Sequence, residues 1–284
     1  MTSGNRLEIL DHYRRWGWVA SVVLILAMTG CSTNPVTGRS QLMLVSENAA
    51  ISASSQAYTE VLESARKEGR VDADARTKAR VTAIAERVVA QAVRYRPETA
   101  DWDWQIAVIE APETLNAFAM AGGKMAIYTG IIDKLALTDD ELAQIIAHEI
   151  AHALSSHSAE KMSVALASNL ALTAYAVTGD RNELAITGAA LAALMAVQLP
   201  NSRQMEAEAD RIGIELAARA GYRPDAAAQL WAKMAAEGGA RQPVFLSTHP
   251  APASRQRDLQ ALAVQVQPLY EQATRSRLPR HPVR

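Results

Sequence analysis

The sequence predicts an α+β, mainly α-helical fold, with a small β-sheet and one helix loaded with chemistry. Three observations predict it. Long segments place apolar residues at three- and four-residue spacing, most clearly Val81, Ile84, Val88 and Val89. The β-rich runs are short and confined to residues 102–128. Directly after them, Thr138-Asp139-Asp140-Glu141 forms a capping box, in which the threonine hydroxyl and the glutamate satisfy each other's orphan amides. The helix it opens carries two histidines one turn apart.

Composition sets the frame. The chain has 284 residues, 49% hydrophobic and 21% charged, with a formal net charge of −1. That is globular composition, and its interspersed charges argue against nucleic acid as a partner. One cysteine excludes an intramolecular disulfide and cysteine-rich zinc modules. The length suits one compact domain with a small extension.

Residues 1–30 read as an export signal. Arg14 and Arg15 precede an uncharged run from Trp16 to Met28, followed by small residues. Met28-Thr29-Gly30-Cys31 resembles a bacterial lipobox, which implies a lipid on Cys31 as the first residue of the mature chain. The other reading is an uncleaved anchor, for which the apolar run is short against the roughly 20 residues a span needs. Ser32, rather than aspartate, follows the cysteine. In the lipoprotein sorting pattern this directs the protein to the periplasmic face of the outer membrane.

Residues 31–45 form a turn-rich, lipidated tether punctuated by Pro35 and Gly38. Helical patterning runs from Ser46 to Lys67 and from Asp72 to Tyr95. Strands are expected at 102–109, 117–120 and 124–128, the last two joined through Gly122-Gly123, with Thr129-Gly130 closing the unit. The capped helix runs from Asp139 to about His157. An alanine-rich helical stretch follows from Met162 to Leu199, broken around Thr178-Gly179-Asp180 and ended by Pro200. Leu184 to Leu199 is uncharged but short, so a buried helix is preferred over a span. The next helix starts at the cap Ser202 and stops near Gly221. Pro224 opens another at its first position. Residues 238–248 read as loop, and a last helix follows Pro252. The folded domain thus covers 46–267, and 268–284 is a frayed tail.

The chemistry concentrates in His148-Glu149-Ile150-Ala151-His152. On a helix, positions i and i+4 share a face, so both imidazoles can bind one zinc ion at about 2.0–2.1 Å. Glu149, one residue on, stands beside the metal, where it can take a proton from a water whose pKa zinc lowers to near 7. The competing reading is two surface histidines on an ordinary helix. A catalytic zinc keeps three protein ligands. Glu206 is the best candidate for the third, with Asp210 one turn on able to accept from a ligand histidine and fix its tautomer. Other downstream carboxylates stay open on spacing alone. Glu208, between the two, reads as a solvated acidic face.

These pieces together resemble the M48 family of zinc metallopeptidases, which has mitochondrial members and bacterial periplasmic lipoproteins. The resemblance covers about Asn34 to Arg255. It rests on Asn34-Pro-Val-Thr-Gly-Arg39, Asn116-Ala117-Phe118-Ala119, Gly122-Gly123-Lys124, the histidine pair with Glu149, Glu206 to Asp210, and Thr248-His249-Pro250 followed by Arg255. It implies a zincin-like metallopeptidase domain with a small edge-exposed β-sheet above the active-site helix, one zinc held by His148, His152 and Glu206, Glu149 as general base and Asp210 behind the ligands. It also implies that His249 reaches the site, either to stabilise an oxyanion or to occupy the fourth zinc position as a latch. Substrate is expected to lie extended along Ala117, Phe118, Ala119 and Met120, because a strand edge pairs with backbone of any sequence. That selects unfolded or misassembled envelope polypeptides. Ser156 stands where family members often carry arginine, and His157 after it reads as a helix-end histidine favoured by the macrodipole. Two other classes compete: a non-enzymatic lipoprotein that binds unfolded outer-membrane proteins, and a structural envelope lipoprotein.

Overall fold

The computed structural model describes residues 31–178, 202–237, 244–249 and 254–284. The export signal, the break at Gly179-Asp180, the stretch Leu184–Leu199 and Pro200 lie outside the described residues. Among the described residues, no helix is long and apolar enough to cross a membrane.

The first element corrects the expectation of a free tether. β1 (Cys31–Thr33) and β2 (Ser40–Leu42) pair antiparallel, with Ser32 opposite Gln41. Asn34 closes their turn by accepting from the amides of Val36 and Thr37 at 2.9 and 3.0 Å, the local bonding for which asparagine is favoured in turns. The hairpin is docked on the body: Asn34 and Gln41 donate to the Ser155 carbonyl.

α1 (Glu47–Lys67) starts where expected, capped by Ser46. α2 (Ala75–Tyr95) starts three residues later than expected. Asp72 adopts a positive φ of 54° and accepts the Val108 amide, so Asp74 becomes the cap. β3 (Gln105–Ile109) is shorter than the 102–109 expected. Trp104 is buried just ahead of it and donates to the Thr99 carbonyl.

β4 (Ala117–Met120) and β5 (Lys124–Tyr128) fall on the expected residues. Gly122 and Gly123 between them have φ of 78° and 82°, where a side chain would strain the turn. The sheet order is β3-β5-β4, with β3 parallel and β4 antiparallel to β5. The outer side of β3 is covered, because Arg284 exchanges backbone hydrogen bonds with Trp104 and Ile106. The residues expected to fray are therefore held, with Val283 buried. Among the described residues, no strand pairs with the outer edge of β4. Thr129-Gly130 does not merely close the unit: α3 (Thr129–Lys134) begins there.

α4 (Asp139–Leu154) opens on the expected capping box, with Thr138 and Glu141 bonded reciprocally. It is buried on all sides between α2 and β4 and the later helices. Each buried isoleucine or leucine contributes about 1.5–3 kcal/mol of hydrophobic stabilisation. The helix ends at Leu154 rather than near His157. Ser156 takes a φ of 55°, and the last carbonyls are met by side chains from far along the chain. Arg96 donates to Leu154, and Asn34 and Gln41 donate to Ser155. A cation at a helix C-terminus also suits its dipole. α5 (His157–Thr178) then starts five residues before the expected Met162.

α6 (202–219) opens at Ser202 as expected. Gly221, φ 76°, closes it: its amide bonds to Ala218 and that of Tyr222 to Ala217, the Schellman pattern. α7 (Ala226–Glu237) begins after Asp225, whose carbonyl accepts its first bond, so Pro224 lies just outside. The expected loop at 238–248 contains α8 (Val244–Thr248). α9 (Arg255–Thr274) runs through Pro268. Leu259, Ala263 and Val266 pack against Ile214 and Ala218, and that burial carries the helix past its missing donor.

Candidate metal centre and active site

α4 presents His148 and His152 on one face, and α6 crosses it with Glu206 and Asp210 aimed at the pair. The crossing is close. A Cβ on Gly213 would stand 2.9 Å from the backbone N and Cα of His148. α8 brings His249 from the third side: the Phe245 amide donates to the Leu115 carbonyl and the His249 amide to the Phe245 carbonyl. The His249 ring stacks on Phe245 at 4.4 Å.

Among the described residues, His148, His152, Glu206 and His249 form a buried group able to hold a metal ion, with ligand atoms within 4.8 Å of one another. Nε2 of His148 lies 3.1 Å from Nε2 of His152 and 3.2 Å from Oε2 of Glu206. His152 Nε2 is 3.3 Å from Glu206 Oε1. His249 Nδ1 is 3.3 Å from His148 Nε2 and 3.1 Å from Glu206 Oε2. A tetrahedron with ligands about 2.0–2.1 Å from its centre has edges of roughly 3.3–3.4 Å. These separations are close to those edges, and two imidazoles with one carboxylate are donors zinc accepts.

Each predicted role has a partner in the geometry. Nδ1 of His148 is 3.1 Å from Asp210, the bond that leaves Nε2 free as a donor. Arg255 holds the acids in place, donating to Asp210 at 2.6 Å and Glu206 at 3.3 Å, with its guanidinium 3.8 Å over the Trp231 ring. It also reaches the His249 carbonyl. Glu149 Oε2 accepts the amide of Ala119 on β4 at 3.0 Å. Its other oxygen, Oε1, is buried, lacks a hydrogen bond of good geometry and faces His249 Nε2 at 3.2 Å. A buried carboxylate oxygen left without a donor is costly, and this one lies against the ring of His249, a member of the metal-binding group.

The electrostatics follow from burial opposed by partners. Burial alone would lower His148, but hydrogen bonds to Asp210 and Glu206 push it up to about 9. His152 is held well below the ordinary histidine value, mainly by burial. Burial alone would raise Glu206; the surrounding imidazoles of His152, His148 and His249 reverse this and hold it far below the usual carboxylate range. The centre is therefore an anionic carboxylate among imidazoles, which matches the demand of a divalent cation.

The four residues of the predicted substrate strand divide. Ala117 and Ala119 face α4, while Phe118 and Met120 pack on the opposite face of the sheet toward Tyr58 and Leu62. Alternation along β4 turns the backbone groups of Ala117 and Ala119 to its outer edge.

Two expectations are overturned. His157 is not a helix-end histidine. It opens α5, is 1% exposed, and its Nδ1 lies 2.8 Å from Nδ1 of His152. Glu208 is not a solvated face: it meets His157 Nε2 at 3.0 Å and accepts from Thr37 and Arg39. Burial alone would raise Glu208, but hydrogen bonds from His157, Arg39 and Thr37 bring it down to about 2. Two-residue spacing puts Glu206 and Glu208 on opposite flanks of α6, and only the crossing of α6 past α5 shows that the second flank is also occupied.

Comparison with known proteins agrees with this geometry. Residues 75–263 match peptidase family M48, more than half of the chain. The mitochondrial metalloendopeptidase OMA1 of Saccharomyces cerevisiae is 36% identical over 180 residues, 60% of this chain and 50% of that protein. OMA1 of Bos taurus is 32% identical over 261 residues, 87% of this chain and 49% of that protein. The beta-barrel assembly-enhancing protease of Escherichia coli is 29% identical over 171 residues, 57% of this chain and 35% of that protein. The chain thus spans about half the length of the OMA1 relatives it matches. With its helix-borne histidine pair, crossing glutamate and zinc-compatible donor set, the chain belongs to peptidase family M48.

Proposed function

We propose that this chain is a membrane-anchored, zinc-dependent endopeptidase that cleaves unfolded or misassembled envelope proteins. One observation carries the reading: a compact donor set of imidazoles and a carboxylate lies beside a second carboxylate, Glu149, that is itself bonded to the edge of β4. A binding protein has no use for that carboxylate. His148, His152 and Glu206 are the ligands, and Asp210 sets the tautomer of His148. Bound there, zinc supplies Lewis acidity and makes water a nucleophile at neutral pH. A peptide pairs with the outer edge of β4, using backbone groups alone, which suits extended chains of any sequence. Glu149 takes a proton from the attacking water at Oε1 and delivers it to the leaving amine. The similarity to the Escherichia coli beta-barrel assembly-enhancing protease supports a substrate class connected with β-barrel assembly. A lipid on Cys31 would hold the domain at the periplasmic face of the outer membrane.

His249 has a second role open to it. Its Nδ1 lies 3.3 Å from His148 Nε2 and 3.1 Å from Glu206 Oε2, within reach of a metal held there, so we read this conformation as latched. The test compares the full chain, in mild detergent with zinc, with its Glu149→Gln and His249→Ala variants on casein. Cleavage by the parent, none by Glu149→Gln and faster cleavage by His249→Ala are expected. Equal cleavage by the parent and Glu149→Gln refutes the base. Slower cleavage by His249→Ala with unchanged zinc affinity refutes the latch in favour of an oxyanion role. If nothing cleaves but the parent holds casein, the chain is a binding protein.

A further inference from the structure

A run of polar groups leads outward from the metal ligand His152; its two histidines are buried, and none of its members beyond His152 is used by the reaction. From the inside, it consists of His152, His157, Glu208 and then Thr37 and Arg39 of the β1–β2 turn. The links are 2.8 Å from His152 Nδ1 to His157 Nδ1, and 3.0 Å from His157 Nε2 to Glu208 Oε2. Glu208 Oε1 takes Thr37 Oγ1 at 2.8 Å and Arg39 Nε at 2.9 Å, and its Oε2 takes Arg39 Nη2 at 3.0 Å. Arg39 is clamped from behind by Glu160, which also accepts from Gln41.

Donor and acceptor rules allow these contacts one arrangement when His152 binds a metal through Nε2. A neutral imidazole donates from one nitrogen and accepts at the other. With Nε2 given to the metal, the proton of His152 is on Nδ1 and must be accepted by His157 Nδ1. The proton of His157 is then on Nε2 and faces Glu208. Glu208 can only accept, and its remaining lone pairs face the hydroxyl of Thr37 and the guanidinium of Arg39, which donate. The two imidazole bonds point outward from the metal to Glu208, Thr37 and Arg39 donate to Glu208 from the other side, and the chain ends on a cation that cannot reverse this order.

We infer that His157 is a positioning residue that fixes His152 as a metal-binding tautomer, and that Glu208, Thr37 and Arg39 set its direction. The inference rests on the zinc reading above. It gives the hairpin beginning at Cys31 a part in the metal centre: the segment next to the proposed lipid supplies the outermost donors of the relay. The usual partner of a ligand histidine is a carboxylate or carbonyl, and Asp210 plays that part for His148. His152 reaches its carboxylate only through a second histidine.

The relay makes an asymmetric prediction. In Glu208→Gln the amide oxygen is drawn to Thr37 and Arg39 Nε, which leaves the NH2 against His157 Nε2. That turns both imidazoles over and puts the proton of His152 on Nε2, where it blocks the metal. His157→Ala removes the acceptor altogether. In His157→Asn the side-chain oxygen stands near the place of Nδ1 and still accepts from His152. Zinc affinity of the full chain in mild detergent is measured by competition with a chromophoric chelator, and the melting temperature of each metal-free form is recorded beside it. Loss of a partner behind a ligand weakens metal binding by about 10–100-fold, so Glu208→Gln and His157→Ala should fall in that range, with His157→Asn within a few-fold of the parent. Unchanged affinity in Glu208→Gln and His157→Ala, beside a parent that binds zinc, overturns the relay. So does a loss in His157→Asn as large as in His157→Ala, with metal-free melting temperatures falling in step, since that is a packing effect. A parent that binds no zinc refutes the metal centre, and the relay with it.

Discussion

Gly213→Ala isolates the crossing on which the centre is built. Gly213 lies seven residues beyond Glu206 on α6, on the flank pressed against α4. An alanine Cβ there would meet the His148 Cα and N at 2.9 Å and the Ala147 carbonyl carbon at 3.1 Å. Carbon atoms rest at about 3.5 Å or more, so the helices must part by roughly 0.6 Å. The atoms in the way are backbone of a helix buried on all sides, and no rotamer change relieves them. Forced overpacking costs about 1–3 kcal/mol, against the ~1 kcal/mol that alanine gains over glycine inside a helix. The net expectation is a loss of about 0–2 kcal/mol, or a melting temperature lower by up to about 8 °C. The metal site should suffer more. Ligand distances tolerate about 0.2 Å, and the parting moves Glu206 away from both histidines by more than that. Zinc affinity should therefore fall at least about tenfold. Thermal melts of zinc-loaded and metal-free protein, with chelator competition, measure both effects. A melting temperature equal to or above the parent's, with zinc affinity intact, would refute the close crossing.

Three further outcomes follow from single contacts. Thr138→Ala removes the hydroxyl that accepts the Glu141 amide at the head of α4 and should cost about 1 kcal/mol by denaturant titration; no change would show the cap to be redundant. Ala119→Pro deletes the amide given to Glu149 but no bond to β5, because Ala119 faces outward opposite Met125. It should abolish casein cleavage with little change in melting temperature, and retained cleavage would count against substrate pairing on this edge. Glu208 is depressed from 4.5 to about 2 in the folded chain, so its contribution to stability is present above about pH 4.5 and disappears as pH falls through 2. The stability gap between the parent and Glu208→Gln should close over that window, and a gap independent of pH would show that the charge of Glu208 is not what stabilises it.

Local signals in the chain located most of the elements near the site. The capping box placed the start of α4, the alternating runs and paired glycines placed β4 and β5, and the i, i+4 spacing put His148 and His152 on one face. Endings were less legible. α4 stops at Leu154 because Arg96, Asn34 and Gln41 arrive from distant parts of the chain to meet its carbonyls. α8 is too short for a periodic signal, and α9 continues past Pro268 because packing outweighs one lost donor.

What the sequence determined by itself is the chemistry within single helices: a histidine pair with a glutamate beside it, and an acid pair one turn apart. These depend only on helical geometry, which is fixed by residue spacing. What tertiary structure decided is everything set by how two helices cross. The approach at Gly213 brings Glu206 to the histidines, α8 swings His249 to the fourth corner, and Ser156 turns the chain so that His157 comes back onto His152. Glu208 changes from a surface acid into an inner link of a relay by the same crossing. Such contacts join residues far apart in the chain, 169 positions for Arg39 and Glu208, and no periodicity along the chain encodes a distance of that kind.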